Sequence, residues 1–139
     1  MSRPIASLGL LFCLAATQGA IAAPTGSSSV EKAFGNTIVS TYPDGRTGEL
    51  WLAPGGTYTA QGRKGDPSRG HWHVKGNRLC LLQVKPVPML SSFCTPIPET
   101  GMGKPWSAKA ATGEAITVKV EEGHHQGMAR SSRKPEKPA

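Results

Sequence analysis

The 139-residue chain has no apolar run long enough to cross a bilayer and almost no helical signal, and it carries only three cysteines. Each shortage excludes something. A span needs about 20 consecutive apolar residues; the longest apolar stretch here, Ile5 to Ala16, has 12. No 12-residue window keeps apolar residues at a 3.6 period, so a helical bundle is excluded. The three cysteines show no C-x-x-C spacing, which argues against a redox pair or a cysteine-rich zinc site. The serines form no G-x-S-x-G elbow, and the acids Asp44 and Asp66 stand in turn contexts; Glu49 is the one strand carboxylate worth following. A hydrolytic centre is therefore not expected, and the sequence implies no cofactor.

What is present divides the chain into four parts. Arg3, the apolar run and Ala20-Ile21-Ala22 read as a signal peptide over residues 1–22, cut after Ala22 to leave Ala23-Pro24. Cys13 falls inside the apolar run behind Phe12, where a lipidation signal needs a small residue, so it leaves with the leader. Residues 23–33 and 124–139 are poor in apolar groups and read as flexible, the second as a disordered basic tail. One ordered domain is expected over 34–123, in a periplasmic or secreted protein that exists as a monomer.

Within that domain short strands alternate with turns. Thr37 to Tyr42 meets Pro43-Asp44-Gly45, Thr47 to Ala53 meets Pro54-Gly55-Gly56, and Thr57 to Gln61 meets the basic loop "GRKGDPSR". Gly70 to Lys75 turns at Gly76-Asn77 into Arg78 to Val84, and Ile116, Val118 and Val120 alternate in a late strand. Residues 85–98 carry four prolines and read as a connection rather than a central strand. The fold class is all-β: an antiparallel meander of six or seven strands closing into a small barrel or sandwich. Its expected core is Ile38, Leu50, Leu52, Tyr58, Trp72, Val74, Leu79, Leu81, Phe93, Ile116 and Val118. In an exported chain Cys80 and Cys94 pair, closing a loop whose entropy stabilises by about 3 kcal/mol.

"GNTIVSTYPDG" at 35–45, "APGGTY" at 53–58, "GHWHVKGNRLC" at 70–80, Cys94, Trp106 and "TGEAITVKVEEG" resemble an uncharacterised family of small exported bacterial β-domain proteins. The resemblance covers most of 35–123 and departs at 54–56, where Pro-Gly-Gly replaces an Asp-Gly turn. It implies a lipocalin-like barrel and export, and it carries no catalytic residues.

Two constellations bear on binding. His71 and His73 flank Trp72 on one strand face, so their imidazoles point to one side; with His124, His125 and Met128 they form the candidate zinc or copper set. The bland reading is two polar residues on the solvent face between Arg69 and Lys75, whose charges repel a cation. Arg63, Lys64 and Arg69 form a candidate anion-binding loop. The net charge of +7 falls to +6 once Arg3 leaves with the leader, and no module for specific nucleic-acid recognition accompanies it. The leading expectation is a non-enzymatic exported binding module whose partner is a protein or small ligand of the cell envelope. The alternative is a periplasmic metal-binding protein.

Overall fold

A computed structural model of the chain describes residues 29–99 and 101–125. Their frame is eight strands: β1 Thr37–Thr41, β2 Thr47–Leu52, β3 Thr57–Gln61, β4 Pro67–Lys75, β5 Arg78–Lys85, β6 Phe93–Pro96, β7 Trp106–Lys109 and β8 Ala115–Glu121. They form one antiparallel sheet in the order β6-β5-β4-β3-β2-β1-β8-β7, curled until β6 and β7 come together. The result is a nearly closed barrel.

One turn design recurs at four corners. Tyr42–Arg46, Ala53–Thr57, Gly62–Asp66 and Ala110–Glu114 each start with an N–H bonded to the carbonyl four residues on. In each, the fourth residue is a glycine whose N–H returns to the first carbonyl. That glycine adopts φ between 79° and 88°, a region costly for any residue with a Cβ, which is why Gly45, Gly56, Gly65 and Gly113 share one place in the pattern. The β4–β5 corner is tighter: Lys75 pairs with Arg78 across Gly76-Asn77, and only Gly76 has positive φ, as a II′ hairpin requires.

Inward positions follow the alternation. Ile38, Leu52, Tyr58, Leu79 and Val118 are buried, and Leu50, Trp72, Val74, Leu81 and Ile116 pack against them. Phe93 on β6 is half-buried. Gly70 also faces inward, beside the β4 bulge, and a Cβ there would stand 2.0 Å from the Leu82 carbonyl oxygen.

Four expectations are corrected. Residues 29–31 form a helical turn rather than part of a flexible segment, and Val30 and Ala33 are fully buried in the core cluster. Phe34 meets Trp72 with ring centroids 5.6 Å apart, so this turn closes one end of the barrel. At the other terminus, His124 stacks on Trp51 at 5.1 Å. The fully buried Thr37 hydroxyl donates to the Gly123 carbonyl at 2.8 Å. It also accepts from Trp51 Nε1 at 2.9 Å and from the His125 N–H at 3.1 Å. The packed unit thus runs from about 29 to 125, wider than 34–123. The Pro-rich connection contains strand β6, an edge strand whose proline falls at its last position. Finally, Ile97 and Met102, in the β6–β7 linker, join the core.

Cys80 and Cys94 are bonded, facing each other in the β5–β6 register on the side of the sheet opposite Leu79 and Leu81, with Cys80 fully buried. The expected signal peptide, the cleavage residues Ala22 and Ala23, Met128 and the rest of the basic tail lie outside the described residues. Among the described residues no helix is long and apolar enough to cross a membrane.

Candidate functional site

The barrel interior is filled unevenly. Near the closed end the inward positions carry Leu79, Ile97, Met102 and Val118 above the Val30 plug. Toward the other end they carry Ser40, Gly48, Ala60, Ser68 and Ala108. Small side chains at one end of a barrel leave volume that large ones fill at the other. The consequence is a cavity of about 280 Å³, continuous with the core and open at the end bearing the 43–46, 62–66, 86–92 and 110–114 connections. Its walls are mainly apolar. The inward polar groups, Ser40, Tyr42, Ser68 and Gln83 toward the mouth and Thr95 beside Leu79, are neutral, while the charged Glu49 and Lys109, on alternate strand positions, also border the cavity.

Arg63 organises the rim. Its guanidinium lies 4.3 Å from the centre of the Tyr42 ring and donates to both carboxylate oxygens of Glu114, at 3.1 and 2.9 Å. It also reaches Asp44 Oδ2 at 3.5 Å, and Asp44 pairs with Arg46 at 2.8 Å. Three corners are thereby tied together. The Arg46 backbone N–H, then its side chain and Arg63, hold the Asp44 carboxyl below its ordinary value. The Thr112 hydroxyl, followed by Arg63, does the same for Glu114. The Glu114 carboxylate in turn raises Arg63.

The candidate anion loop is therefore split. Arg63 is occupied by carboxylates, Lys64 is exposed on the turn, and Arg69 lies on β4 opposite Thr59 and Lys85. Neither acid was apparent as a partner in the sequence, because they stand 19 and 51 residues from Arg63. Glu49 faces a separate polar recess of about 180 Å³ with Thr47, Gln61 and Lys64, where its Oε2 is shielded and takes no hydrogen bond.

His71 and His73 lie exposed on the outer face of β4, as alternation requires. His124 and His125 are instead held beside Trp51 and Thr37, the His125 ring lying 3.3 Å from Glu121. Among the described residues, no three His, Cys, Asp or Glu side chains converge into a metal-binding set. No family model, curated protein or solved structure matches the chain. The cavity and its rim are thus the features from which a function is argued.

Proposed function

We propose that this chain is an exported, non-enzymatic binding module that holds a small, largely apolar ligand inside its barrel. The observation that carries the reading is the open cavity of about 280 Å³, built by small inward residues over an apolar floor. Its volume stands at the lower edge of the ~300–1,000 Å³ range of small-molecule sites. Apolar walls below and neutral hydroxyl and amide groups above fit a ligand with an apolar body and an uncharged polar end. The inward-facing residues offer a charged end no counter-charge: Arg63 is already paired at the rim, and Glu49 and Lys109 border the cavity only from its edge. The leader pattern, together with the Cys80–Cys94 bond, supports placement in an oxidising compartment outside the cytoplasm.

Titration of the chain beginning at Ala23 with the neutral dye phenylnaphthylamine tests this. The expected result is saturable binding with blue-shifted, enhanced emission. Ala108→Phe, which fills the cavity from β7, should abolish it while the far-ultraviolet spectrum stays that of the parent. Dye binding that never saturates, or that survives Ala108→Phe in a folded protein, overturns the reading.

A further inference from the structure

Among the described residues, the large hydrophobic side chains that stand exposed fall in a single stretch of β5 and the β5–β6 connection. Val84 and Met89 are each 37% exposed, Val87 is 69% exposed and Leu90 is fully exposed. Isolated exposed apolar residues are ordinary; four within seven positions form a patch that water disfavours. This loop is also held in shape. The Met89 N–H bonds to the Gln83 carbonyl at 2.9 Å, and the Gln83 amide donates to the Val87 carbonyl at 2.9 Å. Pro86 and Pro88 stiffen the chain on one side, and the bonded Cys94 anchors it on the other. Val87 and Leu90 are thus presented outward on a fixed scaffold, while Met89 between them also borders the cavity mouth.

The charges around this tip decide what it meets. Lys85 begins the connection and stands in register with Arg69, so two cations neighbour each other across β4 and β5. Lys64 and Lys109 are exposed on the corners at the same end. None of these four makes an ion pair among the described residues; of the acids of that end Asp44 and Glu114 are taken up by Arg46 and Arg63, and the exposed Asp66 of the 62–66 corner leaves the cations in excess. Like charges side by side cost free energy in water and gain it against a negative surface. A protruding apolar tip within a collar of unpaired cations is the arrangement that binds an anionic interface, with the tip among acyl chains and the cations among headgroups.

We propose that the mouth end of the barrel docks on an anionic phospholipid bilayer through Val87 and Leu90, with Lys64, Arg69, Lys85 and Lys109 facing the headgroups. A docked mouth would open onto the bilayer, so a cavity ligand would exchange with lipid without crossing water. That corollary rests on the cavity reading, whereas the docking itself does not.

Co-sedimentation of the chain from Ala23 with vesicles tests it. Vesicles containing phosphatidylglycerol should retain the protein, pure phosphatidylcholine vesicles should retain much less, and added salt should weaken the retention. Val87→Asp with Leu90→Asp should reduce retention by at least about tenfold, the loss expected when a Leu-sized side chain is no longer buried. Neither residue lines the cavity, so phenylnaphthylamine binding by this double variant should match the parent and show that the fold is intact. Retention that is absent on phosphatidylglycerol, or equal for parent and double variant, overturns the proposal. So does a soluble envelope protein that binds the parent through Leu90 while vesicles do not. Failure of dye binding alone would overturn the cavity reading and leave docking standing.

Discussion

Arg63 shows why a charge cannot be assigned from its neighbours in sequence alone. In the string "GRKGDPSR" it looks like one cation of three; in space it is the centre of an acid cluster. The cluster has a definite pH signature. Asp44 and Glu114 titrate, when folded, below their ordinary values of 3.8 and 4.5, so their ionised forms are favoured by the native rim. Groups with depressed folded values contribute stability that is fully present above the ordinary values and is lost as pH falls through the folded ones. The melting temperature should therefore hold between neutral pH and about 5, then fall on further acidification. Arg63→Ala should lower it at neutral pH, and the gap between variant and parent should narrow below pH 4.5 as Glu114 and Asp44 protonate. Thermal melts of both proteins across that range check this. A gap independent of pH would mean that Arg63 acts by covering Tyr42 rather than by its charge.

At the scale of elements, regular strands were legible and short or proline-bearing ones were not. The alternation His71-Trp72-His73-Val74 and Leu79-Cys80-Leu81 placed each side chain on its correct face, because both strands are long enough to repeat the pattern. β6 and β7 have four residues each, too few for alternation to stand out from chance. In β6 the prolines argued for a connection and against a central strand, and β6 is indeed at the edge, where a strand bonds on one side only and tolerates a proline at its end. The cysteine pairing was legible, and the β5–β6 register gives it a mechanical reason: without the bond, β6 is a four-residue strand held by one neighbour. Replacing both cysteines by alanine should lower unfolding free energy by about 2–4 kcal/mol, as measured by urea denaturation, with the midpoint rather than the slope shifting. The chain beginning at Ala23, which lacks Cys13, should show no alkylatable thiol, since Cys80 is fully buried and bonded to Cys94.

For the whole molecule, composition and turn spacing announced a small antiparallel β meander closed as a barrel or a sandwich, and the single sheet curled end to end makes it a nearly closed barrel. Hidden from the sequence were the parts that make it a container. The plug comes from Val30 and Ala33 in a Ser-rich stretch with no period to read, and Met102 reaches the core from an irregular linker. The cavity was equally hidden, because it arises from small residues on different strands, Ser40, Ala60, Ser68 and Ala108, which meet only once the register is set. The binding-module expectation came from the fold class; its most concrete support, the empty volume, needed three dimensions.

The meeting of β6 and β7 has a dynamic consequence. Every other neighbouring pair of strands is laced by a backbone ladder, and this pair is not, so the barrel is a hoop with one unstitched joint. Thermal opening concentrates where the fewest bonds must break. Outward-pointing amides of β6 and β7 at that joint should exchange with deuterated water much faster than those of β1 and β2, which are laddered on both sides. Because the joint flanks the cavity, with Phe93 on one lip and Trp106 on the other, such opening would widen the interior sideways. Residue-resolved exchange would reveal it, and uniform protection around all eight strands would mean that the hoop is rigid despite its missing stitches.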